Sequence, residues 1–352
     1  MNINHAILHV FDPVSCVNVY SQTELDLSDK VSKRYVEGHV RKMLGSIDAC
    51  RGSFAEDSAF AEELCAYFRG HRGFLELSAQ VAEFLMGELD HADKAEPADI
   101  LVVDFEDDPD ASVREMDEAD ELAAFEGRGR RCFALMLLDI RQAYLHEVGT
   151  AEDGSTRVAV ARHRAILPNP SQKVSSFAVV DARTLSVTFC DKPRTIAGEE
   201  RLLIPDGLLQ CTKEASGREV LGAVARIAEE VAEEYGANAA VAVSRAKASA
   251  SQAVEESEEL APWDLAEDVF EDEPLRKRFE EALAEEGVAE RVVVERAVAK
   301  RVARMHRIRT DTGIDVSFPA EYGENPDFIE FTSEPDGRIS IALKNIGRIE
   351  NR

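Results

Sequence analysis

Seven cations crowd into residues 288–309: Arg291, Arg296, Lys300, Arg301, Arg304, Arg307 and Arg309, against only Glu290 and Glu295. Guanidinium and ammonium groups recurring every few residues suit one chemistry above others, the neutralisation of successive phosphates along a nucleic-acid backbone. Such contacts position a protein on double-stranded DNA without reading its bases. Arg296, Lys300, Arg301, Arg304 and Arg307 form the principal candidate set. The stretch "GRGRRC" adds Arg128, Arg130 and Arg131 beside glycines that let backbone approach a ligand, with Arg130 and Arg131 as a second candidate contact. "RHR" supplies Arg162, His163 and Arg164 on an expected strand, where alternation sends the two arginines to one face and the histidine to the other. The competing reading of each cluster is internal charge compensation, in which the arginines pair with the chain's own carboxylates.

That competition is sharp because the chain carries a formal net charge of −27. Two stretches supply most of it: residues 99–126 hold twelve acids against one arginine, and residues 251–287 hold fourteen against three bases. Screening at physiological salt acts over roughly 8 Å, so a local basic face can bind an anion even on an anionic molecule. The acidic stretches raise a second reading, an adaptor that docks on basic DNA-associated proteins. "DDPDASVREMDE" superficially resembles a calcium loop, but Ser112 stands where the sharp turn needs glycine.

Other chemistries lack their signatures. There is no G-x-x-x-x-G-K-[ST], G-x-G-x-x-G, H-E-x-x-H or G-x-S-x-G. No catalytic residue, cofactor site or metal site is indicated, which leaves an acid-and-metal nuclease as a residual reading only. The six cysteines, at 16, 50, 65, 132, 190 and 211, form no C-x-x-C pair and read as reduced thiols packed as small hydrophobes. No apolar run approaches the roughly eighteen residues of a membrane span, and "MNINHAILHVFDP" lacks the order of a signal peptide, so the expected compartment is the cytoplasm, with no membrane partner.

The expected class is α+β, with a largely antiparallel sheet and helices in the N-terminal half, then helices followed by β-hairpins in the C-terminal half. "INHAILHVF" and "VNVYSQ" read as a first hairpin. A helix follows with Ser28 as N-cap and Gly45 as stop, then helices over about 58–69 and 74–90. "DILVVDF" and "RCFALMLLDI" are continuous apolar runs of the kind that form strands covered on both faces. "AYLHEV" and "RVAVARHRAIL" read as a long hairpin turned at Asp153 and Gly154, and "SSFAVVD" and "SVTFCD" as another. Helical spacing covers 217–235, about 237–253, and "EPLRKRFEEALAEEG", which Gly287 closes. The basic strip reads as a helix with Val298, Val302 and Met305 on one face, and the chain ends in strands, including a hairpin turned by Pro335, Asp336 and Gly337. The domain boundary is placed near 207, giving an α+β domain over 1–207 and a C-terminal domain over 208–352.

Four phrases, "MNINHAILHVFD", "AILPNPSQKVSSFAVVD", "IRTDTGIDVSFPAEY" and "NPDFIEFTSEPDGRISIALKNIGRI", resemble the bacterial nucleoid-associated protein family in its Gram-positive form. The resemblance spans nearly the whole chain, and the last two phrases are its most specific part. It implies a non-enzymatic cytoplasmic protein that co-localises with the folded chromosome and contacts DNA as an oligomer, a homodimer being the simplest case.

Overall fold

The computed structural model describes residues 1–94, 96–107, 129–150, 152–323, 325–333 and 339–348. Arg128, residues 108–126 of the first acidic stretch, and the turn residues Pro335, Asp336 and Gly337 lie outside them. The chain divides into two compact units, Met1–Glu214 and Ala215–Arg352.

The first unit opens with β1 (Asn2–Asp12) and β2 (Val17–Val19), whose turn is held by Asp12 Oδ1 accepting the Val14 and Ser15 amides at 3.1 Å each. Helix α1 (Lys30–Leu44) is capped by Asp29, not by Ser28: Asp29 Oδ2 accepts the Ser32 amide at 2.9 Å, while the Ser28 hydroxyl donates to Asp26. Next come β3 (Cys50–Ser53), α2 (Ala59–Phe68), α3 (Phe74–Asp90), β4 (Ala98–Asp107), β5 (Arg130–Asp139), β6 (Arg141–Thr150), β7 (Thr156–Ile166), β8 (Ser176–Asp181), β9 (Ser186–Cys190), β10 (Arg194–Ile196) and β11 (Glu199–Arg201).

Seven strands make one antiparallel sheet in the order β2-β1-β4-β5-β8-β9-β3. β4 and β5 are apolar without alternation because both faces of the sheet are covered. On one face Ile100, Val102, Phe133 and Leu135 pack with Leu64 of α2 and Leu77, Val81 and Leu85 of α3. On the other, Leu101, Val103, Ala134 and Met136 pack with Val36, Val40 and Met43 of α1. The result is a helix–sheet–helix sandwich of the α+β class. Residues 203–209 form a π-helical turn, and the chain then returns across β3: the Thr212 amide donates to Ser53 O and the Glu214 amide to Arg51 O. A Cβ on Gly52 would fall 2.0 Å from Thr212 O, so only glycine admits this crossing.

The second unit begins with α4 (Gly217–Glu234), closed at its start by a reciprocal Ser216–Glu219 capping box, and α5 (Ala239–Ser257), capped by Asn238. Ala242, Ala246 and Ala250 are buried along α5, where small side chains let neighbouring elements approach closely. β12 (Glu259–Leu260), α6 (Ala266–Val269), α7 (Glu273–Glu285), β13 (Val292–Val293), α8 (Arg296–Val302), β14 (Met305–Arg309), β15 (Asp315–Pro319), β16 (Ile329–Ser333) and β17 (Ile339–Leu343) complete it. Gly287, at φ +66°, follows the cap of α7 as the glycine stop requires. Among the described residues no helix is long and apolar enough to cross a membrane.

One buried acid of the sheet has an energetic consequence. Asp99 of β4 is 5% exposed, and among the described residues its Oδ1 has no hydrogen-bond partner. Burial, aided by the nearby charge of Asp12, pushes its carboxyl up to about 6. A folded-state pKa above the ordinary 3.8 means the folded protein holds this proton more tightly than the unfolded one. The associated stability is complete below pH 3.8 and is lost as pH rises through about 6. Asp99→Asn should therefore match the native protein in urea unfolding below pH 3.8 and exceed it at neutral pH by up to about 3 kcal/mol. A pH-independent difference would contradict this.

Candidate nucleic-acid interface

The basic strip is not one helix. α8 ends at Val302, and from Met305 the chain pairs with β15 in the register His306↔Phe318, Arg307↔Ser317 and Ile308↔Val316. Helical spacing up to Met305 yields here to strand pairing, in which β-branched Ile308 and Val316 face each other across the ladder. In α8, Val298 and Ala299 are buried, while Lys300 and Arg301 stand exposed in the last turn, where cations complement the helix dipole. Arg304 lies in the connection, its carbonyl accepting the Ala320 amide at 2.9 Å. In β14, Met305, Arg307 and Arg309 point outward and His306 inward against Phe318, ring centroids 5.2 Å apart. His306 is 3% exposed; burial, with a smaller contribution from the charge of Lys247, holds its pKa down at about 4, so this imidazole adds no charge beneath the strip at neutral pH.

Part of the strip is compensated by the chain's own acids. Pairing of β12 with β13 in the register Glu259↔Val293 sets the early part of the second acidic stretch beside the strip. Arg291 Nη1 lies 3.5 Å from Glu259 Oε2, Arg296 Nε 3.5 Å from Glu258 Oε1, and Arg309 Nε 3.8 Å from Asp315 Oδ1. These pairs are at least half exposed, the class worth about 0–1 kcal/mol, so a phosphate competes with them readily. Lys300, Arg301, Arg304 and Arg307 form no ion pair and no side-chain hydrogen bond among the described residues. The five principal candidates thus separate into one paired cation, Arg296, and four open ones.

Arg130 and Arg131 belong to the first unit and differ from each other. Arg130 is exposed, with its Nε 3.6 Å from Asp181. Arg131 is engaged inward: Nη2 and Nε donate to Asp104 Oδ2 at 2.7 and 3.0 Å, and its guanidinium lies over the rings of Tyr67 and Phe68, 5.3 and 5.5 Å from their centroids. Asp104 has no exposure and also accepts from the Tyr67 hydroxyl at 2.6 Å and Asn4 Nδ2 at 2.9 Å. Sequence gave no sign of this network, since Asp104 is one acid among many and its burial follows from the register Asp104↔Phe133 of a covered strand. Of the "RHR" group, Arg162 Nε donates to Gln142 Oε1 at 3.0 Å.

A polar groove in the second unit is lined by Glu256, Glu259, Asp264 and Asp268, with Arg291 at its edge. Among the described residues, no group of three or more His, Cys, Asp or Glu side chains could hold a metal ion.

Because Asp104 is wholly buried, Arg131→Ala strands a carboxylate. Removing one member of a buried pair costs about 3–5 kcal/mol, and the lower end applies because Arg131 keeps 37% exposure. Arg130→Ala should stay within about 1 kcal/mol. Equal urea midpoints for the two variants would refute the distinction.

The model of one protein family, described as nucleoid-associated protein YejK, matches residues 7–351 of the chain. No match was found among curated proteins.

Proposed function

The chain belongs to this family of nucleoid-associated proteins, and from that premise we propose that it is a non-enzymatic protein of the cytoplasmic nucleoid that binds double-stranded DNA through its phosphates. The observation that carries the reading is the open set Lys300, Arg301, Arg304 and Arg307, left uncompensated in a chain of net charge −27. Arg296 flanks it and becomes available when phosphate displaces Glu258. Arg130 is an auxiliary contact from the first unit. Arg131, the candidate beside it, serves the fold through Asp104 and contributes less. Contacts to phosphates position a protein without reading its bases, so the proposed binding is sequence-independent.

The acidic groove of the second unit supports a second reading, an adaptor in which Glu256, Glu259, Asp264 and Asp268 receive lysines and arginines of a DNA-associated protein. The two readings part in a nuclease-treated pull-down. An adaptor retains its basic partner after DNA is destroyed, whereas a direct binder loses the chromosome fraction.

Fluorescence anisotropy with a labelled duplex tests direct binding. Four phosphate contacts give a log–log salt slope near −3.6, and five near −4.5 if Arg296 joins, at about −0.9 per contact. Replacing Lys300, Arg301, Arg304 and Arg307 together by alanine should flatten the slope and abolish binding at moderate salt, with the fold retained. Absence of binding at low salt, or an affinity indifferent to the fourfold replacement, would reject the proposal.

A further inference from the structure

β6 and β7 form a two-stranded sheet of their own, paired from Arg141↔Ile166 to Thr150↔Thr156. Their residues are exposed along almost the whole ribbon. A two-stranded ribbon alone in water is marginally stable, yet this one is built from β-branched and aromatic residues that gain from cover. The pleat sorts them. The cross-strand pairs Tyr144↔Arg162, His146↔Val160, Val148↔Val158 and Thr150↔Thr156 share one face. On it Tyr144, Val148, Val158 and Val160 are 69, 65, 64 and 75% exposed. Leu145, Glu147 and Arg157 fall on the opposite face.

Charge decides which partner fits. The described side chains of the valine face include one arginine, Arg162, which already donates to Gln142, and no carboxylate, so a phosphate backbone and a basic protein both find little there. Glu152 and Asp153 at the turn repel phosphate further. Two copies of a chain at −27 repel one another over most of their surface. The valine face is free of that repulsion, and an identical face offers the matching flat, β-branched surface.

We infer that the β6–β7 ribbon is a self-association surface, on which two copies pack valine face to valine face about a two-fold axis. Such packing sets the two sheets roughly 10 Å apart with their side chains interleaved. Eight described side chains per copy lie on this face, against roughly 20–30 a side in a standard interface. The association is therefore concentration-dependent rather than obligate, and it stands independently of DNA binding.

Sedimentation equilibrium of the full chain over a wide concentration range tests it. The expected result is a mass rising from one chain towards two, a monomer at all concentrations for Val148→Asp/Val160→Asp, and native behaviour for Leu145→Asp on the opposite face. Thermal unfolding of the seven-stranded sheet, which excludes the ribbon, verifies that the variants fold. Should the double variant fail that control, Val158→Cys in a Cys16→Ser background should yield a cross-linked dimer with a short bismaleimide. A monomer at every concentration, assembly growing beyond two copies, association indifferent to the double variant or equally lost in Leu145→Asp, or absence of the cross-link would overturn the inference.

Discussion

A strongly acidic chain can offer cations to a polyanion only where its own carboxylates are held out of reach, and that segregation governs the second unit. The pairing of β12 with β13 brings Glu258 and Glu259 to the start of the strip, and the β14–β15 hairpin brings Asp315 to its end. Both ends are therefore compensated, while the stretch from Lys300 to Arg307 is not. Surface pairs of this kind stabilise little. Their effect is to confine the open positive charge to a short segment of chain.

The first unit uses charge differently. Its sheet is held by apolar side chains on both faces, and Asp104 and Asp99 are acids set within that covered layer. Asp104 is tolerated because Arg131, Tyr67 and Asn4 supply donors around it. Asp99 has no such set and is held with a raised pKa instead. The same residue type thus serves in one position as an anchor for an arginine and in the other as a source of pH dependence. An arginine that looked available by its neighbours in the chain, Arg131, is the one the fold consumes.

Much of the architecture is legible in the sequence. β4 and β5 announce themselves as continuous apolar runs because strands buried on both faces have no polar side to display, and α3 and α4 show the three-to-four spacing of one apolar face. Less legible is whatever tertiary pairing decides. Helical spacing extends from Val298 to Met305, yet the chain breaks at Ala303 because β15 is there to pair with. Asp29 rather than Ser28 caps α1, a shift of one residue between two competent caps. At the candidate interface, the cations were visible but their partners were not. Arg296 differs from Arg301 only by Glu258, an acid far off in sequence that a two-residue strand pairing delivers.

Residue-resolved labelling of lysines and arginines, with and without duplex DNA and read by mass spectrometry, tests segregation most directly. Lys300, Arg301, Arg304 and Arg307 should label freely in the protein alone and become protected together when the duplex is added. Unchanged labelling at those four positions, with protection appearing elsewhere or nowhere, would contradict the account.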